Sequence, residues 1–320
     1  MLLAGNAEIL IKSLNLFIRN KVKNYSTCVN KDNSLNPYWV TGFTDAEGCF
    51  SVIISKRSNL NWRVQVSFEI NLHIKDIAVL YLIKQFFVRV SINSRENRSN
   101  CVYRVTKIED LIKVIIPHFI KYPLLTQKYA DFFLWSKVVK LMDLKQHLIP
   151  SGFDTVLSFY ASINKGMSQQ VLTAFPNIKG AVRINPILPD LLNPYWVSGF
   201  VAGDGGFSIG IRAITGQIYF RFHIAQHSRD ILLMNKFINF FNCGKVHIRS
   251  NINRCDFLIQ DFNNIYNIII PHFDKYPLKN IKQLDYIDFK IAVNLFKSNG
   301  KKSTDIIKQI ISNMNSNREY

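Results

Sequence analysis

The chain has 320 residues, enough for two domains that each bury a core. Its hydrophobic fraction, 48%, is ordinary for a soluble globular protein, and it has no uncharged apolar run of about 18 residues, which argues against membrane attachment. The charge is not ordinary: 40 Lys and Arg stand against 22 Asp and Glu, a net +18 at pH 7, and the excess is spread through predicted strands, so it asks for a polyanionic partner.

Residues 1–30 carry one acid, Glu8, against Lys12, Arg19, Lys21 and Lys23. That balance is only faintly like an organellar transit peptide, and an in-frame extension explains it equally well. Cys28, Cys49, Cys101, Cys243 and Cys255 show no CxxC pairing and no metal spacing, so free thiols in a reducing compartment are expected. The richness in Phe, Tyr, Ile, Asn and Lys matches AT-rich codons and points to a small organellar genome, such as a mitochondrial one.

From residue 34 the chain says one phrase twice. Residues 35–43 read LNPYWVTGF and residues 192–200 read LNPYWVSGF, eight of nine positions identical. The first runs on to Glu47-Gly48 and the second to Asp204-Gly205, so the two acids lie 157 residues apart. A second phrase, PHFIKYPL at 117–124, returns as PHFDKYPL at 271–278 with an offset of 154. Two phrases in one order at nearly one offset mean a duplicated domain. Two such domains make a pseudo-symmetric dimer on one chain, each giving one acid to a shared place.

In each copy Asn36 or Asn193 is an N-cap, and Pro37 or Pro194 is the first helical residue. The helix ends at the acid, where Gly48 or Gly205 stops it. Gly42 and Ala46, like Gly199 and Gly203, recur at i, i+4. A mid-helix glycine costs roughly 1 kcal/mol against alanine, so close contact between the two copies is the expected reason. Packing against the helix's own sheet is the alternative.

Strands follow. Phe50, Val52 and Ile54 alternate with Ser51, Ile53, Ser55 and Arg57. Val64, Val66, Phe68 and Ile70 alternate with Arg63, Gln65, Ser67 and Glu69. Period-two alternation predicts sheets with one face on a core and one in water. A helix is expected at 75–87, a hairpin over 88–107 bearing Asn93, Arg95 and Arg104, and helices at 108–117 and 126–142. The second copy repeats the plan, with Ser208, Arg212, Gln217, Arg221 and His223, then Lys245, His247 and Arg249, on its polar positions.

The expected fold is therefore α+β: two αββαββαα domains, each an antiparallel sheet packed on helices. The expected boundaries are an extension at 1–33, domains at 34–142 and 191–300, a linker at 143–190 with a helical stretch at 153–163, and a tail at 301–320. The linker has no expected counterpart after the second copy. The tail is expected to be polar and partly helical.

The stretches Gly42-Phe43-Thr44-Asp45-Ala46-Glu47-Gly48 and Gly199-Phe200-Val201-Ala202-Gly203-Asp204-Gly205 resemble the two motifs of single-chain LAGLIDADG homing endonucleases of the group I intron-encoded type. The resemblance covers roughly residues 34–300. It implies a site-specific endonuclease that cuts a long DNA site, acts as a monomer with internal twofold pseudo-symmetry, and uses a divalent metal. The metal is Mg²⁺, with Mn²⁺ or Ca²⁺ able to substitute for binding. It further implies catalytic acids at Glu47 and Asp204, with metal-binding positions there and at the adjoining Ala46 and Gly203. Lys128 and Lys282, each five residues after the proline of KYPL, fall at the family's active-site lysines. Gln226 falls at its strand-end polar residue, whose place in the first copy is taken by Leu72. Ala202 departs from the pattern where the first motif has Asp45. Some members of the family instead, or also, assist splicing of intron RNA.

The residues support that chemistry on their own terms. Phosphodiester hydrolysis needs an activated water and charge neutralisation, and a hard cation held by one or two carboxylates supplies both. Two carboxylates at helix C-termini are unfavourable with the helix dipole and with each other, which a metal would resolve. Lys128 and Lys282 read as stabilisers of developing charge or as surface lysines at a helix start. His118 and His272, both in PHF, read as core histidines, and Asp45 as trimming its helix end. Strand-borne Arg and Lys suit guanine edges or phosphates, and Asn and Gln suit adenine. Two sheets of strands about eight residues long, end to end, would span on the order of 20 base pairs. Polar positions differ between copies, Ser91 against Lys245 for one, so a palindromic site is not expected. A maturase on the same fold, a non-catalytic DNA-binding module and a structural RNA-binding protein remain open alternatives; the survival of both acids favours cleavage.

Overall fold

The computed structural model describes residues 34–56, 62–87, 92–94 and 99–318. The expected extension at 1–33, Arg57 and Arg95 lie outside them. In the first domain, helix α1 (Pro37–Glu47) leads into strands β1 (Gly48–Lys56) and β2 (Trp62–His73), then helix α2 (Ile77–Phe87) and strands β3 (Ile92–Ser94) and β4 (Asn100–Val105). A helical run from Ile108 ends in α3 (Ile116–Lys121), and α4 (Lys128–Asp143) closes the unit. Helices α5 (Pro150–Ser162) and α6 (Gln169–Ala174) follow. The second domain repeats the plan: α7 (Pro194–Asp204), β5 (Gly205–Ile211), β6 (Ile218–His227), α8 (Ile231–Phe241), β7 (Lys245–Ile248), β8 (Arg254–Ile259), α9 (Ile270–Lys275) and α10 (Lys282–Asn299), with α11 (Thr304–Ser312) after it.

Each sheet is antiparallel, ordered β1-β2-β4-β3 and β5-β6-β8-β7. The expected αββαββαα order is present in both halves. The expected helix at 108–117 is longer and passes through a π-helical turn, Leu111–Ile115, with its equivalent at Ile265–Ile269. Pro117 and Pro271 stand two residues beyond these turns. The wide turn accommodates a ring that would otherwise clash with the preceding turn's carbonyl.

The alternation places one face of each sheet on an aromatic core. Phe50, paired across the strands with Phe68, also meets Phe119, Phe132 and Trp135 at centroid distances of 5.1–5.3 Å. Phe207 repeats this with Phe222, Phe273, Tyr286 and Phe289 at 5.2–5.5 Å. Burying each such ring contributes about 1.5–3 kcal/mol.

The two domains meet through α1 and α7. Their caps are as expected, Asn36 and Asn193 each accepting from the N–H two residues on at 2.9 Å. A Cβ on Gly42 would lie 2.1 Å from the Trp196 carbonyl oxygen, and one on Gly199 would lie 2.1 Å from that of Trp39. Only glycine permits this approach, so the mid-helix glycines answer to contact between the copies.

The linker does have a counterpart, and this corrects the sequence reading. Asn164 and Asn315 both adopt left-handed backbone, φ 52° and 56°. Asn164 donates its N–H to Asp131 at 2.8 Å and its amide to the Phe50 carbonyl at 2.8 Å. Asn315 does the same to Asp285 at 2.9 Å and Phe207 at 3.3 Å. Arg183 pairs with Asp131 at 2.6 Å, and Arg318 with Asp285 at 2.9 Å and with Asp288. The tail through α11 thus repeats α5 and the segment behind it. Only an Asn and an Arg carry the likeness, at a spacing that differs between copies, so no repeated phrase announces it.

Candidate active site

Helices α1 and α7 run side by side and end together. A Cβ on Gly203 would stand 2.3 Å from that of Ala46 and 3.1 Å from a Glu47 carboxylate oxygen, which puts Glu47 against the end of the opposite helix. Asp204 follows at once. Burial, then the nearby Glu47, pushes the Asp204 carboxyl up to about 6. Glu47 is also raised by burial, with Lys128 and Lys282 opposing.

Both lysines begin helices and reach the same place. Lys128 Nζ donates to the carbonyls of Thr44 at 2.9 Å and Ala46 at 3.2 Å. Lys282 Nζ donates to Val201 at 3.1 Å, Gly203 at 2.6 Å and Gly205 at 2.5 Å. They stopper the carbonyl ends of α1 and α7, where a cation suits the helix dipole. Burial lowers both ammonium groups, against the pull of the acids. Gln226 lies on the helix-facing side of β6, and its Nε2 donates to Asp204 Oδ2 at 3.0 Å. Leu72 pairs with Cys101 as Gln226 pairs with Cys255, so the two are equivalent, and Leu72 is buried. The structure therefore brings together Glu47, Asp204, Lys128, Lys282 and Gln226, with the Ala46 and Gly203 backbone between them.

This donor set fits a hard cation. Two carboxylates converge, and neither has an ion-pair partner within 4 Å among the described residues. Burial first and the facing Glu47 second raise Asp204, and a divalent cation would relieve both. The Ala46 and Gly203 carbonyls each accept a lysine bond and keep a second lone pair. Among the described residues no cluster of three or more His, Cys, Asp or Glu forms an all-protein metal cage. Oxygen donors to be completed by phosphate and water match hard divalent cations, magnesium and calcium alike, rather than zinc.

Residues 40–139 and 197–293 match the family model described as LAGLIDADG endonuclease. The chain belongs to this family. Its sequence is 37% identical over 314 residues to probable intron-encoded endonuclease 2 of Neurospora crassa, covering 93% of this chain and 68% of that protein. Its fold is similar to that of I-GzeII, a LAGLIDADG homing endonuclease solved in complex with a DNA target: TM-score 0.84, 34% identity, 89% of this chain and 100% of that one. I-SmaMI, solved on uncleaved DNA in the presence of calcium ions, is equally similar, with TM-score 0.84 and 34% identity over 88% of this chain and 99% of that one.

Asp45, the other acid of the first LAGLIDADG motif, is not part of the convergence. It is buried and accepts four hydrogen bonds: from the N–H groups of Leu125 at 2.9 Å and Thr126 at 3.1 Å, the Thr126 hydroxyl at 2.6 Å, and the Trp196 indole at 2.9 Å. It fastens the start of α4 and the second domain's tryptophan. His118 is buried and His272 half-buried, both packed among rings, and desolvation lowers both to about 4. They serve the core, as their apolar neighbours suggest.

The open faces of the sheets carry the expected polar residues. Ser51, Ser55, Arg63, Gln65 and Arg104 line the first; Ser67, on the same face, is covered by its 2.5 Å bond to Glu69. Asn93 lies in β3. Ser208, Arg221, His223, Lys245 and His247 line the second, with Arg212 and Gln217 at its hairpin and Arg249 beyond β7. These faces are not simply basic. Glu69 holds Arg104 at 2.9 Å, and Asp256 holds Arg249 at 2.5 and 2.7 Å. His223 packs its ring over Gly206.

Two acids escaped the sequence reading. Asp76 Oδ1 accepts from the Ile281 N–H at 2.9 Å, and Asp230 Oδ1 accepts from the Gln127 N–H at 2.8 Å. A signal existed: His73-Ile74-Lys75-Asp76-Ile77 and His227-Ser228-Arg229-Asp230-Ile231 share three of five residues at the offset of 154.

Proposed function

We propose that this chain is a homing endonuclease that hydrolyses both strands of a long, non-palindromic DNA duplex, using a divalent cation, most simply Mg²⁺, with Mn²⁺ or Ca²⁺ able to support binding. The observation that supports it best is the meeting of Glu47 and Asp204, one from each domain, between two buried lysines. The cation, when bound, supplies a water of lowered pKa and neutralises charge on the phosphate. Glu47, Asp204 and the Ala46 and Gly203 carbonyls would hold it. Gln226 fixes one Asp204 oxygen and leaves the other for the metal. Lys128 and Lys282, dry and rigidly held, stabilise charge developing on the phosphate.

The two open faces read the duplex. Arg63, Arg104, Arg212, Arg221, Lys245 and Arg249 meet bases or phosphates, and Arg104 and Arg249 do so already oriented by carboxylates. The copies differ along these faces, so the two half-sites differ. An AT-rich coding bias and intron-encoded relatives support a mitochondrial origin. The test is a duplex of the joined exons that flank the reading frame, incubated with the chain and Mg²⁺. Metal-dependent double-strand cleavage at one position is expected. An intact duplex, or cleavage indifferent to a chelator, would contradict the reading.

A further inference from the structure

Helices α4 and α10 begin at the two active-site lysines, and neither is capped by its own N-cap side chain. Gln127 precedes Lys128 and Ile281 precedes Lys282, and both lack a side-chain capping bond. The Thr126 hydroxyl accepts the Lys128 N–H locally at 3.2 Å, and in both helices a further acceptor comes from across the molecule. Asp230, on the turn Ser228–Asp230 before α8 of the second domain, accepts the Gln127 N–H; Asp76, on the turn Ile74–Asp76 before α2 of the first, accepts the Ile281 N–H.

The exchange is reciprocal. Each domain's lysine helix is capped by the other domain's aspartate, one residue before the lysine. A carboxylate there meets an orphan N–H and the positive end of the helix dipole. Asp230 is buried, only 4% of its side chain exposed, so the contact is built in and not a surface accident. Burial raises both carboxyls, Asp230 to about 6, and the accepted N–H works against that rise. Asp76 also lies close enough to act electrostatically on Lys282 and Glu47, and Asp230 on Lys128.

We propose that Asp76 and Asp230 are positioning residues for cleavage: each fixes the start of the opposite domain's lysine helix, so that each lysine is placed by both halves of the molecule. The inference rests on the reading of Lys128 and Lys282 as catalytic. The consequence is specific. Loss of one cap should disturb one lysine and leave the other in place.

The experiment is strand-resolved single-turnover cleavage of the joined-exon duplex with Mg²⁺, on the full chain, with each strand end-labelled. Asp76→Ala should slow the strand that Lys282→Met slows, by about tenfold or more. Asp230→Ala should slow the strand that Lys128→Met slows. Asp76→Asn and Asp230→Asn keep an acceptor oxygen and should recover most of the rate, while DNA affinity in calcium changes less than about twofold throughout. Should an alanine variant not fold, judged by melting, the serine variant replaces it and the strand comparison is read there. If the lysine variants slow cleavage but the aspartate variants do not, or slow both strands alike without rescue by Asn, the positioning role is wrong while the lysine reading stands. If the lysine variants cut at the wild-type rate, the lysine reading fails and the inference fails with it.

Discussion

The first motif ends Asp45-Ala46-Glu47 and the second Ala202-Gly203-Asp204; their backbones match and their supports do not. In the first, Asp45 gathers four donors, including the Trp196 indole of the other domain. In the second, Ala202 offers only its carbonyl, which takes the Asn280 amide at 2.9 Å, and the equivalent indole of Trp39 is buried with no partner among the described residues. The support reverses one strand away. Gln226 holds Asp204, whereas the buried Leu72 can give nothing to Glu47. Two acids of the first motif, one residue apart, thus have opposite fates. Asp45 is consumed by donors and becomes a fastening; Glu47 and Asp204 face each other and are left to hold a cation in the proposed function.

The largest expected effect tests what the two motifs share. Gly42→Ala and Gly199→Ala each drive a methyl into a backbone carbonyl 2.1 Å away, which cannot yield as a side chain can. Each should cost at least the upper end of the about 1–3 kcal/mol typical of overpacking, measured by urea denaturation. A wide gap between the two costs would break the symmetry. Next come the lysines: Lys128→Met and Lys282→Met should each slow single-turnover cleavage by roughly 3–4 kcal/mol of barrier, less than loss of an acid. Unchanged rates in both would return them to ordinary lysines closing helix ends.

The asymmetry itself is tested by Asp45→Ala. This strands the Trp196 indole and two buried N–H groups, and should destabilise the fold by about 3 kcal/mol with thermal melting as the measure. Ala202→Asp offers Trp39 the acceptor it lacks and should cost far less or stabilise. If both substitutions behave alike, Asp45 is not the fastening described.

A smaller effect is pH-dependent. Asp204 is raised from 3.8 to about 6 in the folded metal-free chain. Such an acid holds its proton more tightly folded than unfolded. Its stabilising contribution is complete below the ordinary value and is lost as pH rises through about 6. The metal-free protein should therefore lose stability between about pH 4 and 6, and Asp204→Asn should flatten that slope. A slope unchanged in Asp204→Asn would assign it elsewhere, Asp230 being the other carboxyl raised to about 6. Cleavage should move oppositely, falling below about pH 6 as protons compete with the metal.

The smallest effect lies on the open faces. If Arg249 reads a guanine, Arg249→Ala should relax preference at one base position by about 1–3 kcal/mol, and if it meets phosphate, the salt slope should shrink by about one. Asp256→Ala should weaken the same contact less, since it removes only the orienting partner. Binding unaltered in any salt would mean the face does not hold DNA.

Much of this was legible in the sequence because duplication wrote it twice. LNPYWV and KYPL fix the helix pair and the lysines, and period-two alternation separates the Phe50 face from the Arg63 face. What escaped is what a repeated phrase or a local period does not carry. Asp76 and Asp230 act on residues 205 and 103 positions away, and nothing local marks an aspartate as a cap for another domain's helix. The kinship of tail and linker rests on Asn164 and Asn315, whose left-handed turns depend on backbone and not on neighbours. The pairing of the sheet acids is hidden from the sequence because a carboxylate's partner, Arg104 for Glu69, sits on another strand.

The central claim is that one acid from each domain completes a single site. Its most direct test is cleavage of the joined-exon duplex with Mg²⁺ by Glu47→Gln and by Asp204→Asn, with DNA affinity measured beside it in calcium. Both substitutions remove a charge and keep a shape. The expected result is cleavage abolished or greatly reduced in each variant, with affinity nearly unchanged. Either variant cutting both strands at the wild-type rate would contradict it.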